Sequence, residues 1–101
     1  MEVTITKQDN TTVVTLAGRL DTVCSQDVSN KLAPVIADAK GTIILDCSQM
    51  TYISSSGLRI FLTVRKAAAE KGGKVIVKSI NNDIRSVFMM TGFINLFQIE
   101  D

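Results

Sequence analysis

The chain has 101 residues, 46% apolar and 21% charged, with eleven Lys and Arg against ten Asp and Glu. That is the make-up of one folded domain, residues 1–101, able to bury its own core; it excludes a disordered chain and nucleic-acid binding driven by bulk positive charge. The absence of histidine excludes Ser-His-Asp triads, Cys-His dyads and imidazole metal ligands.

Val3 and Ile5 alternate with Thr4 and Thr6, the period of a half-buried strand. Asp9-Asn10 is a turn signal, and Thr11 to Ala17 is β-branched and rich in Val and Leu, so the two segments predict a hairpin. Gly18 to Thr22 then leaves the strand end. Ser25 is the expected N-cap of a first helix, with Val28, Leu32, Val35, Ile36 and Ala39 on its apolar face and Lys40-Gly41 at its end. Pro34 lies inside that pattern and predicts a kink or break, because an interior proline costs roughly 3 kcal/mol.

Thr42-Ile43-Ile44-Leu45 is a short apolar run that reads as a strand covered on both faces, closed by Asp46-Cys47-Ser48-Gln49. A second helix is expected over residues 55–70, with Leu58, Phe61, Leu62, Ala68 and Ala69 on one side and Lys71-Gly72-Gly73 as its stop. Lys74 to Lys78 is the next strand. Ile84, Val87, Phe88 and Thr91 stand at helical spacing, capped by Asn81 or Asn82 and ended by Gly92. Of the adjacent Met89 and Met90, only one can share that buried face. Phe93 to Ile99 is an apolar tail with room for a last short strand. The order is ββαβαβα(β): an α/β fold with a mixed four- or five-stranded sheet and its helices packed on one face.

Chemistry concentrates in Met50-Thr51-Tyr52-Ile53-Ser54-Ser55-Ser56-Gly57-Leu58, where a strand-to-helix loop opens the second helix. Helix capping accounts for one serine, at about 1 kcal/mol. It accounts neither for three nor for a glycine in the first turn, which fits a backbone that something approaches closely. A helix start tolerates a phosphate well, so a phosphorylated or anion-binding loop stands beside the capping reading. Enzymatic use of a serine here is disfavoured: Ile53 stands where a nucleophile elbow needs its first glycine, and no histidine base exists. Gly72-Gly73-Lys74 lacks the spacing of a P-loop. Arg65, Lys66 and Lys71 read as a solvated face, whereas Arg59, near the helix start, opposes the helix dipole and is the better candidate for contacting a partner. Asp21 and Asp46 each read as loop caps at a strand end. Cys24 and Cys47 cannot form a Cys-only metal site and read as free, packed thiols in a reducing compartment. Nothing in the sequence calls for a cofactor. The N-terminus lacks the pattern of a signal peptide and no apolar run reaches membrane-spanning length, so a cytoplasmic protein without membrane insertion is expected.

The sequence resembles the STAS domain family, the sulfate transporter and anti-sigma factor antagonist family. The likeness rests on Gly18-Arg19-Leu20-Asp21, Ile43-Ile44-Leu45-Asp46, the stretch Met50 to Arg59, Gly72-Gly73-Lys74-Val75 and Met90 to Phe97, so it runs through essentially the whole chain. In stand-alone members the loop reads roughly Asp-Ser-Ser/Thr/Ala-Gly-Leu, and its first serine is phosphorylated by a partner that is both kinase and anti-sigma factor. The resemblance therefore implies an anti-sigma factor antagonist with Ser55 as phosphoacceptor, Ser56 at the variable position and Ser54 where the family carries aspartate. It implies a partner surface of Asp21, Thr22, Ser54, Ser56, Gly57, Leu58 and Arg59 for an anti-sigma factor serine kinase. A phosphatase acting on phosphorylated Ser55 would complete the cycle, with no direct nucleic-acid contact. Ser54 in place of aspartate keeps a second reading open: a constitutive STAS subunit of a lipid-transport or stress-sensing assembly, without a serine switch. Similar domains also carry a further C-terminal helix beyond the point matching Glu100-Asp101.

Overall fold

The computed structural model describes residues Met1–Asp101. Strand β1 (Glu2–Gln8) turns through Asp9, held at φ 54°, into β2 (Thr11–Leu20). Helix α1 (Ser25–Ala37), strand β3 (Thr42–Ile53), helix α2 (Ser55–Glu70), strand β4 (Lys74–Lys78), helix α3 (Asn82–Thr91), a 3-10 turn (Phe93–Asn95) and strand β5 (Gln98–Glu100) follow. The five strands lie in one sheet in sequence order; β1 is antiparallel to β2 and every later pair is parallel. Right-handed crossovers that step in one direction across a sheet leave all their helices on one face. The burial agrees, since Val14 and Leu16 of β2 and Ile43, Leu45 and Cys47 of β3 are buried while their alternate neighbours are half-buried.

Several sequence expectations change here. The third strand is not covered on both faces: alternation through Ile43, Leu45 and Cys47 marks one helix-covered face and one open face. Nor does that strand close at Asp46; it runs to Ile53, and β2 runs on to Leu20 beside it. In the pairing, Thr15 and Ala17 of β2 oppose Asp46 and Gln49, and Gly18 and Arg19 oppose Met50 and Tyr52, so β3 carries an extra residue at two places. Each bulge shifts the pleat, and the buried positions become Cys47, Met50 and Ile53. A strand with that spacing loses its period of two and looks like loop in sequence. Asp46 is accordingly inside a strand, its carboxylate accepting the Ser48 N–H at 3.0 Å in the first bulge.

Helix α1 is capped differently from expectation. Cys24 occupies the N-cap without a side-chain hydrogen bond, and Ser25 Oγ donates to the Thr22 carbonyl at 2.9 Å. The helix crosses Pro34 unbroken and ends at Ala37, before Lys40. Pro34 is the fourth residue from that end, so its missing N–H removes a single bond in a turn that is already terminating. In α2 the buried face includes Ile60 and Val64, while Ala69 is exposed. Arg65 is exposed as expected, and its Nε also donates to the Leu96 carbonyl at 2.6 Å, tying α2 to the segment that follows the 3-10 turn. On α3, Met89 and Met90 are both exposed, because Ile84 and Phe88 already fill the inward face. Gly92 takes the left-handed C-cap, φ 80°, and the chain turns there to bring Phe93 and Phe97 against Phe88. The last strand is three residues long.

Candidate functional site at the C-terminal edge of the sheet

Parallel strands deliver their C-terminal loops to one edge of a sheet. Here that edge collects Asp21 and Thr22 after β2, Ser54 to Arg59 after β3, and Ser79 to Asn81 after β4. Two hydrogen bonds hold the loops together: Ser54 N–H donates to the Leu20 carbonyl at 2.9 Å, and Asn81 Nδ2 donates to the Met50 carbonyl at 3.3 Å. Asn81 also caps α3, its Oδ1 accepting from Ile84 N–H at 2.8 Å.

The three serines have three different environments. Ser54 is buried, extended (φ −92°, ψ 172°), and its Oγ accepts the Gly57 N–H at 3.2 Å. It is the N-cap of α2, a position that aspartate fills equally well. The replacement relative to the family loop thus preserves the cap and removes a negative charge beside the next residue. Ser55 is exposed at the first helical position, its hydroxyl free of protein hydrogen bonds. Ser56 is half-buried and lines a shallow groove between α1 and α2 with Ser25, Gln26, Ser29, Arg59 and Ile60.

Gly57 and Leu58 face inward. A Cβ on Gly57 would lie 2.7 Å from Leu20 Cγ and 2.9 Å from Ile53 Cγ1. The glycine lets the first turn of α2 rest directly on the ends of β2 and β3. Gly57→Ala is therefore expected to lower stability by about 1–3 kcal/mol through overpacking, more than the nearly 1 kcal/mol it gains in helix propensity. Urea denaturation reads the difference, and an unchanged midpoint would show that the contact yields freely.

Of the expected surface residues, Thr22, Ser55 and Arg59 are exposed and Asp21 and Ser56 are half-buried, whereas Ser54, Gly57 and Leu58 shape the loop from beneath. Asp21 is a loop cap: its Oδ1 accepts the Cys24 N–H at 3.0 Å, and that bond holds its carboxyl below the usual carboxylate range. Cys24 Sγ in turn donates to the Arg19 carbonyl at 3.3 Å. Buried Cys47 is a different thiol, pushed up to about 12 by burial and by the adjacent Asp46 charge, and is chemically quiet. The sequence reading missed two features of this edge. Val23, 93% exposed, is presented by the loop that Asp21 braces. Arg19 and Tyr52 face each other across the β2–β3 pair, with the guanidinium 4.3 Å from the ring centroid. No local motif marks Val23, and the Arg19–Tyr52 stack needs the bulged register of β3.

The family model of the STAS domain matches residues 2–101. The chain belongs to the STAS domain family. Among curated relatives, the provisionally named anti-sigma factor antagonist BtrV of Bordetella bronchiseptica is 27% identical over 99 residues, covering 98% of this chain and 85% of that protein. The anti-sigma-B factor antagonist of Staphylococcus aureus is 23% identical over 101 residues, covering 100% of this chain and 94% of the relative. Among solved structures, the fold matches an anti-sigma factor antagonist from Mycobacterium paratuberculosis with a TM-score of 0.81 at 24% identity, over 98% of this chain and 84% of that one. It also matches the anti-sigma factor antagonist SpoIIAA in its unphosphorylated form, TM-score 0.76 at 20% identity, over 99% and 88% of the two chains. The Bacillus protein has also been solved in its phosphorylated form, again with a TM-score of 0.76 at 20% identity, over 99% of this STAS chain and 91% of that one. No helix of this STAS domain is long and apolar enough to cross a membrane.

Proposed function

We propose that this STAS domain is an anti-sigma factor antagonist whose binding to an anti-sigma factor kinase is switched off by phosphorylation of Ser55. The observation that carries the reading is the division of labour in the loop. Ser54 spends its hydroxyl on the cap, while Ser55 leaves its hydroxyl exposed at the start of α2, beside exposed Thr22 and Arg59. The relatives' names point the same way, and SpoIIAA is a phosphoprotein of this fold. In the phosphorylation step the Ser55 oxygen takes the γ-phosphoryl group of ATP, ADP leaves, and the hydroxyl proton goes to solvent or a kinase base. The product carries about −1.5 to −2 charges at pH 7. In free protein that charge sits in water at a helix start; in a complex it must be desolvated.

Incubation with the purified cognate kinase and ATP is expected to add one phosphate, mapped by mass spectrometry to Ser55. Label on Ser54 or Ser56 would place the switch elsewhere in the loop. No label in the presence of a kinase that binds the domain would favour a constitutive STAS subunit. Arg59 is an exposed cation beside Ser55, so Arg59→Glu is expected to weaken kinase binding by at least about tenfold through reversal of the charge at the contact. Its melting temperature should hold or rise slightly, since an acid near a helix start contributes about 0.3–1 kcal/mol. Unchanged affinity in a titration would remove Arg59 from the interface.

A further inference from the structure

We propose that Arg59 is an intramolecular clamp for the phosphate on Ser55, so that modification both adds a charge to the surface and engages the cation nearest to it on α2; this rests on the reading of Ser55 as phosphoacceptor. Ser55 and Arg59 are four residues apart on α2, and both are exposed. At 3.6 residues per turn they stand about 40° apart around the helix axis, in the i,i+4 relation whose side chains meet. Long helical side chains lean back toward the N-terminus, which brings the guanidinium over the turn that holds Ser55 and Ser56. Arg59 and Ser56 together line the groove between α1 and α2, so residue 59 stands at the turn next to the serine loop.

The cation is also uncommitted. The four ion pairs of the molecule are Lys7–Asp38, Lys31–Asp27, Lys40–Asp38 and Arg85–Asp101, and none uses Arg59. Helix α2 has no acid in its first turn, and its sole carboxylate is Glu70 at the far end. The α1 wall of the groove offers Ser25, Gln26 and Ser29, all uncharged. A guanidinium placed here lowers helix stability slightly through the dipole and gains nothing from an existing partner. A phosphoserine four residues before it supplies both a bidentate acceptor and a local negative charge. The unphosphorylated protein then presents Arg59 outward for a partner's carboxylate, and the phosphorylated protein folds it back onto its own helix.

The test uses full-length protein with phosphoserine placed at position 55 during translation, followed by phosphorus NMR across pH 4 to 8 for the otherwise unaltered chain, Arg59→Gln and Arg59→Lys. The second ionisation of a free phosphoserine falls near pH ~6. The helix start acts equally on all three proteins, so their differences isolate residue 59. The protein that keeps Arg59 should titrate at least about half a unit below the Arg59→Gln variant, with Arg59→Lys between them and most of the gap erased in about 1 M salt. Coincident titration curves with and without the Arg59→Gln substitution would overturn the clamp. Binding of the unphosphorylated domain to purified anti-sigma factor kinase is scored separately. A shifted titration without kinase binding supports the clamp and overturns the proposed antagonist function; kinase binding without the shift does the reverse.

Discussion

Phosphorylation of Ser55 is expected to weaken kinase binding roughly a thousandfold, the equivalent of about 4 kcal/mol. The magnitude follows from placing nearly two charges in an interface that must desolvate them, at a cost of several kcal/mol for a buried ion. Two substitutions separate charge from capping. Ser55→Ala removes the acceptor, and because Ser54 holds the cap, it should cost almost nothing in stability and leave a permanent binder. Ser55→Asp puts one negative charge into a first helical turn that holds no acid, so it should be more stable than the alanine variant by about 0.3–1 kcal/mol. It should nonetheless bind the kinase more weakly than alanine does, since the interface, unlike the free helix start, must strip water from the carboxylate. Thermal melts and calorimetric titration read the two effects in opposite directions. Equal affinities for the aspartate and alanine variants would rule out an electrostatic switch at this position.

Phe61→Ala should be the most damaging single truncation beneath the site, at about 3–5 kcal/mol of a total of about 5–15 kcal/mol. Phe61 is fully buried in α2, edge-on to Phe88 of α3 and Phe97 before β5, both at 6.2 Å between ring centroids. Removing it takes away the ring that joins the middle of α2 to both, and only partial collapse into the space is possible. For a domain of this size each kcal/mol shifts the melting temperature by about 4–8 °C, so a fall of roughly 12–40 °C is expected. Phe61→Leu, which keeps most of the volume, should lose far less. A Phe61→Ala midpoint within about 1 kcal/mol of the unaltered chain in urea would mean that α2 is not anchored through this cluster.

Much of this molecule is legible in one dimension. The alternation of Val3 and Ile5, the helical spacing of Ile84 and Phe88 and the glycines after α2 and α3 are local signals, and each element forms where its signal lies. The serine loop is local too: a cap, a free hydroxyl and a small residue must follow one another in sequence to open a helix against two strand ends, so the motif survives in the letters. Other features depend on neighbours distant in the chain. The bulges of β3 erase its period of two, and only the pairing with β2 shows that strand continuing to Ile53. Which of the adjacent serines is spent and which is free depends on how β3 delivers the chain to α2, because burial turns Ser54 inward and Ser55 out. Cys24, rather than Ser25, stands at the start of α1 because Asp21 satisfies the loop from the preceding strand end. Met89 and Met90 are both exposed for a similar reason: Phe88 fills the inward face against Phe61, Phe93 and Phe97 from other segments. Periodicity and cap chemistry act over a few residues and are written in sequence. Register, the choice among adjacent hydroxyls and the filling of a shared core are settled by contacts between distant segments, where steric fit and hydrogen-bond satisfaction decide.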